Sequence, residues 1–188
     1  MGYTDGMGPL SEPKDVMLLA VDVHYGERIA VVAGVEFADW GDAAPRRELV
    51  LAMEVPAAYT PGQFYQRELP CILRLLTHYQ LQPGCMVIDG YVYLDGENRP
   101  GLGKHLFDAL AGTVPVVGVA KSRFAGIGEQ YAVYRGKSTR PLYVTAAGMG
   151  QETAKEHIRS MHGPHRLPTL LKRVDRLCRA SLLPRRLP

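Results

Sequence analysis

The sequence predicts a single α/β domain built on a mixed β-sheet, with helices covering both faces. Three observations carry that prediction. The chain opens with three short runs rich in β-branched residues, joined by links too short for a parallel crossover. From about residue 68 onward, strand-like runs alternate with segments of helical periodicity, the pattern of strand–helix–strand units. The composition, 46% hydrophobic and 22% charged over 188 residues, is that of an ordinary soluble domain with a sizeable core.

The elements follow in order. Val16–Tyr25, Arg28–Phe37 and Glu48–Val55 read as strands. Gly26-Glu27 makes a tight first link and Ala38–Arg47, with Trp40, Gly41 and Pro45, a looser second one, so an antiparallel meander is expected. Tyr59-Thr60-Pro61-Gly62 is a turn signal leading into a helix near Glu68–Gln80. Pro70 fits only the first turn of that helix, which puts Glu68 at or just before its start. A strand at Met86–Gly90, a Gly-rich loop, a helix at Lys104–Ala111 and a strand at Val114–Val119 come next. Strands at Gln130–Tyr134 and Leu142–Thr145 precede helices at Gln151–Met161 and Pro168–Leu182. The last helix gathers Leu170, Val174, Leu177 and Cys178 on one face, with Lys172, Arg173, Arg176 and Arg179 largely elsewhere. The domain is expected to span residues 15–183, between a flexible, Gly- and Pro-rich segment 1–14 and a basic tail 184–188.

Two carboxylates stand out against this frame. Asp22 interrupts the apolar run Met17–Val23, and Asp89 ends the run Met86–Ile88. An ionised acid in a buried strand costs several kcal/mol or more unless it is paired or coordinates a metal. Either the two cap turns or pair with an arginine, or they lie on adjacent strands and form a cluster for divalent cations. Sheets of the ribonuclease H-like type place the first strand beside the fourth, and that order would bring Asp22 and Asp89 together.

Other features narrow the function. A net charge of +3 suits an anionic partner without requiring one. Cys71, Cys85 and Cys178 are widely spaced and form no CxxC pair, which argues against structural zinc and makes a reducing cytoplasm the simplest setting. There is no signal-peptide core, Gly6 stands where a myristoylation signal wants Ser or Thr, and no run is long enough to span a membrane. Val23-His24-Tyr25 after Asp22 is no glycine-rich phosphate loop, so an actin-like phosphotransferase is disfavoured.

The segment Tyr59–Pro70, reading YTPGQFYQRELP, resembles the wedge and Arg-Glu-x-Pro motif of the endonuclease V family. Val21–Tyr25 resembles that family's first acidic strand, Ile88-Asp89-Gly90 its second, Val117–Ser122 its Gly-Val-Ala-Lys strand end, and Pro141–Thr145 its last core strand. The blocks occur in order from about Asp15 to Leu167. The resemblance implies a ribonuclease H-like fold, with a five-stranded type of mixed sheet. It also implies an Mg²⁺-dependent endonuclease, with Mn²⁺ as substitute, cutting DNA or RNA near a deaminated base such as inosine. Asp22, Glu68 and Asp89 would be metal ligands, with Asp22 bridging, and Lys121 would bind a phosphate. Tyr59, Pro61, Gly62 and Gly90 would contact nucleic acid, the first two replacing stacking as a base rotates out. Read without the resemblance, Glu68 is a helix-start acid favoured by the dipole, Lys121 a solvated strand-end lysine, and Tyr59 a packed loop aromatic.

The chain departs from the family at two places. Tyr91–Pro100 replaces a stretch that usually carries histidine and His-Pro-Arg, and Ala146-Ala147-Gly148-Met149 replaces the usual Gly-His beside the metals. Glu152, in the first turn of the following helix, and Asp95, in the loop after Asp89, are the candidate substitutes for a fourth ligand. A weakened second metal site predicts slow, Mn²⁺-preferring cleavage. The alternative is a nucleic-acid-binding protein that keeps the fold but cuts little.

Overall fold

The computed structural model describes residues 16–55 and 65–182. Its first three strands, β1 (Leu18–Tyr25), β2 (Ile29–Phe37) and β3 (Arg47–Glu54), form the expected antiparallel meander. Helix α1 (Tyr65–His78) leads to β4 (Cys85–Asp89), α2 (Leu102–Ala109) and β5 (Val116–Ala120). A single 3-10 turn at Glu129–Tyr131, the two-residue β6 (Ala132–Val133), β7 (Leu142–Ala147), α3 (Gln151–Ser160) and α4 (Thr169–Leu182) complete the chain. The sheet order is β3-β2-β1-β4-β5-β7-β6. The parallel pairings are β1 with β4 and β4 with β5, so the C-terminal ends of these three neighbouring strands share one edge of the sheet. The expected five-strand core is present as β3 to β5, and β7 and β6 extend it to seven strands.

Alternation along the strands splits the core in two. Leu19, Val21, Met86 and Ile88 face α1 and α2, where they meet Ile72, Leu75 and Leu106. Leu18, Ala20, Val87 and Val117 face α3 and α4, against Ile158, Leu170, Val174 and Cys178. Both sheet faces are covered, as near-continuous apolar parallel strands require.

Most boundaries fall within two residues of expectation, and two elements differ by more. Helix α1 starts three residues before Glu68, so Pro70 lies beyond the first turn. The helix survives because Cys71, Ile72, Leu75 and Leu76 bury their side chains just after it, offsetting the one backbone bond that proline removes. The strand expected at Gln130–Tyr134 shrinks to two residues, because its start is wound into the 3-10 turn.

A close backbone approach fixes the exit from β4. Gly118 pairs with Ile88, and a Cβ there would come within 2.6 Å of the Gly90 carbonyl and 2.8 Å of the Val92 nitrogen. The buried Thr145 hydroxyl accepts the Val92 N–H at 2.8 Å. Gly90 itself has φ of +132°, a conformation open to glycine. The turn after Asp89 is thereby held against β5 and β7.

Candidate active site

The register of the sheet builds the site. Val21 pairs with Ile88, so the next residues, Asp22 and Asp89, end side by side on parallel strands. Asp89 pairs with Val119, which leaves Lys121 just beyond the end of β5 on the same edge. The Lys121 ammonium donates to Asp89 at 2.6 Å and to Asp175 of α4 at 3.5 Å. Carboxylate oxygens of Asp22, Asp89 and Asp175 all lie within 4.8 Å of one another. Glu68, in the first turn of α1, approaches Asp22 and Asp89 from the opposite face, where the three line one small pocket with Ile72 and Leu102.

Local structure explains each placement. The Cys178 thiol donates to the Asp22 carbonyl at 2.8 Å, pinning α4 to β1. Asp175 lies three residues earlier, on the edge of the same helical face, and so turns its carboxylate toward Asp22. Arg179, one turn on, holds Asp175 through two hydrogen bonds of 3.1 and 3.2 Å.

The electrostatics are those of crowded acids. Burial, reinforced by Asp89 and Asp175, pushes the Asp22 carboxyl up to about 7 despite Lys121. Burial, with Asp22 and Asp89 adding to it, pushes Glu68 up to about 8. Burial also lifts Asp175, but Arg179 and Lys121 outweigh it and leave that acid below its ordinary value. Desolvation opposes the charge on Lys121, yet its bond to Asp89 raises it overall. A single lysine therefore faces more negative charge than it neutralises. The donors of this cluster are carboxylate oxygens only, since the nearby Cys178 thiol is spent on a carbonyl. Such a set fits a hard divalent cation rather than zinc or copper.

An open cleft of about 1000 Å³ adjoins the acids, lined by Tyr65, Glu68, Gly90, Tyr91, Leu102 and Phe124 among others. Its Tyr65 ring stacks on His105 at 3.7 Å. The Tyr91 hydroxyl donates to the Ser122 carbonyl at 2.7 Å and accepts the Phe124 N–H at 3.2 Å.

The sequence pattern of the endonuclease V family matches residues 9–137, more than half of the chain. The chain belongs to that family. An endonuclease V of Streptomyces coelicolor is 32% identical over 200 residues, covering 95% of this chain and 83% of that protein. The crystal structure of the Streptomyces avermitilis endonuclease V superposes with a TM-score of 0.72 at 28% identity, over 91% of this chain and 83% of that one. The Ciona intestinalis endonuclease V, crystallised with a 24mer DNA containing an inosine followed by a ribo-adenosine, superposes with a TM-score of 0.74. At 19% identity, over 90% of this chain and 87% of that one, it speaks to the fold alone. The chain therefore has the ribonuclease H-like architecture of that family.

Of the residues singled out in the sequence, Asp22, Glu68, Asp89, Gly90 and Lys121 come together at one sheet edge. Tyr59, Pro61 and Gly62 lie outside the described residues, as do the segments 1–14 and 184–188. Neither candidate for the fourth ligand joins the acids. Glu152 pairs with Lys155 at 2.9 Å on the exposed side of α3. Asp95 accepts the backbone N–H groups of Glu97, Asn98 and Arg99, which hold its carboxyl down at about 2. The acid that does join is Asp175, which sequence reasoning missed.

Proposed function

We propose that this member of the endonuclease V family is a divalent-metal-dependent enzyme that hydrolyses a phosphodiester bond near a deaminated base, inosine being the candidate lesion. The observation that carries this reading is the crowding of acids around Asp22 and Asp89, with Asp175 on one side and Glu68 on the other. Asp22 and Asp89 front both groups, which suits two cations sharing ligands. Mg²⁺ is the expected ion, with Mn²⁺ as its substitute. When bound, such ions supply Lewis acidity toward the phosphate and a more acidic water.

The chain's own residues do the rest. Asp22, Glu68, Asp89 and Asp175, once deprotonated, would hold the cations. Lys121 offers a point charge to a phosphate oxygen next to the reacting bond. The cleft behind Glu68 and Asp89 offers Gly90 backbone and the Tyr91 and Phe124 rings to an unstacked base, and Tyr59 with Pro61 and Gly62 would fill the gap that base leaves. The inosine-containing DNA bound by the Ciona relative supports that assignment of substrate. Nucleic acid, DNA or RNA, is thus the partner. Free, buried cysteines suit the reducing cytoplasm, and no helix among the described residues is long and apolar enough to cross a membrane.

The test is a cleavage panel with inosine-containing and unmodified DNA and RNA, single- and double-stranded, in Mg²⁺, Mn²⁺ and EDTA. Metal-dependent cutting confined to the inosine strands is expected. Equal cutting of unmodified strands would overturn the lesion assignment, and cutting in EDTA would overturn the metal.

A further inference from the structure

We infer that a basic groove on the other side of Lys121 binds the sugar-phosphate backbone of the substrate strand where it leaves the reacting bond. This rests on the nuclease reading above and adds a binding surface to it. The groove, about 670 Å³, is lined by Lys121, Ser122, Arg123, Arg140, Tyr143 and Arg166, with Pro141. Lys121 also borders the pocket formed by Asp22 and Asp89, so the groove opens directly from the carboxylates.

Its charge is available to a ligand. Arg166 donates one N–H to the Lys121 carbonyl at 2.7 Å, which fixes its guanidinium at the groove wall without neutralising it. Arg140 is exposed and makes no ion pair among the described residues. Arg123 meets Glu129 at 3.3 Å, but that pair is more than half exposed and weak in water. Its Nε donates to the Ile127 carbonyl at 2.7 Å, which orients the guanidinium. The guanidiniums of Arg123, Arg140 and Arg166 therefore face one acid, Glu129, while the Lys121 ammonium at the groove's inner end is held by Asp89 and Asp175. Forked guanidiniums match phosphate oxygens.

The position decides which anion. Arg123 lines the groove while its neighbour Phe124 lines the cleft on the far side of Asp89. The Ser122–Phe124 segment that carries both is the wall that the Tyr91 hydroxyl pins, at the Ser122 carbonyl and the Phe124 N–H. An aromatic cleft, the carboxylates and a basic groove thus lie in sequence around one wall. A strand with one base in the cleft and its phosphate at the carboxylates has the groove as its continuation.

The test measures binding of fluorescein-labelled, inosine-containing single strands by anisotropy, with Ca²⁺ present so that the acids are neutralised. Full-length strands and strands truncated on the 5′ or the 3′ side of the inosine are compared across a salt series. Arg140→Ala should weaken binding of the full-length strand about fivefold. Arg123→Ala/Arg140→Ala should weaken it further, each lost arginine reducing the slope of log affinity against log salt by about 0.7. Truncating one flank should remove the difference between wild type and variants, and Arg140→Lys should retain most of the slope. Melting temperatures close to wild type would show that the variants fold. Wild-type affinity and slope in the double variant overturn the groove, as does a penalty that persists for every truncation. If the wild type neither binds nor cuts any strand, the nuclease reading itself falls. If it cuts inosine strands and only the variants behave as wild type, the groove alone is wrong.

Discussion

Crowding charges a cost to the residues that make the site. Burial, with repulsion from neighbouring acids adding to it, pushes the Asp22 and Glu68 carboxyls from ordinary values of 3.8 and 4.5 up to about 7 and about 8. Between those limits the folded state holds protons that the unfolded chain has released, so stability falls as pH rises across the interval. The melting temperature in EDTA should therefore drop from pH 5 to pH 8.5. Asp22→Asn should make that profile shallower, leaving the part that Glu68's own burial causes, and should melt higher than wild type at pH 8, by about 2–4 °C for each kcal/mol of repulsion removed. Mg²⁺ at pH 8 should raise the wild type and leave Asp22→Asn nearly unmoved. A wild-type profile that is level from pH 5 to 8.5 would show that the acids are not strained. Cleavage runs the other way with pH: protons compete with the cation for both acids, so activity should climb until about pH 8.

Also at this scale, Asp175→Asn should reduce cleavage about 100-fold, alongside Asp22→Asn, Glu68→Gln and Asp89→Asn. Glu152→Gln should stay near wild type, because that carboxylate serves Lys155. With Asp175 in the fourth place, Mg²⁺ should support cutting at a rate within about tenfold of Mn²⁺, against the Mn²⁺ preference expected from the sequence alone. A wild-type rate for Asp175→Asn would remove it from the ligand set. The sequence exposed Asp22 and Asp89 because an acid inside an apolar run is anomalous. Asp175 carries no such signal. It stands among arginines on an amphipathic helix, four residues before Arg179, and reads as half of a surface ion pair, a bond it also makes. Only its adjacency to Val174 and its three-residue spacing from Cys178 hint that it borders the buried face.

At the scale of elements, short links and alternation made the meander legible, and the strand–helix rhythm made the parallel core legible. The α3–α4 connection was not, because it depends on one residue distant in sequence. Arg135 is 6% exposed, and its guanidinium donates to the carbonyls of Arg159, Met161, Gly163, His165 and Arg166. No carboxylate is among these partners; the loop's backbone carbonyls take its N–H groups instead. The loop so held delivers Arg166 to the Lys121 carbonyl and starts α4, which carries Asp175. Arg135→Ala should cost about 3 kcal/mol, since a buried acceptor left unpaired costs about 1–3. Urea denaturation would read that loss. Cleavage should fall with the protein still folded, and hydrogen exchange should quicken over 159–167. Arg135→Lys, with fewer donors, should recover only part of the loss. Full activity in a destabilised Arg135→Ala would mean that the loop shapes stability and leaves the acids in place.

On the scale of the whole molecule, the parallel strands β1, β4 and β5 bring their C-terminal ends to one edge, the usual place for a site in such sheets. The base cleft and the basic groove flank that edge, so a single strand has a continuous path across it. A duplex does not, because the partner strand keeps the target base stacked. The tyrosine of Tyr59-Thr60-Pro61-Gly62, which precedes the Glu68 helix in sequence, is the chain's candidate for replacing that stack. An aromatic stacked on a base is worth about 1–3 kcal/mol, and 1.4 kcal/mol is tenfold in rate. Tyr59→Ala should therefore slow cleavage of an inosine-containing duplex about tenfold more than cleavage of the same strand alone. Placing the inosine in a mismatch or bulge should shrink that gap, because less stacking then has to be replaced. Equal losses on duplex and single strand, measured as initial rates at subsaturating substrate, would make Tyr59 a residue of general binding and leave the opening of the duplex to other groups.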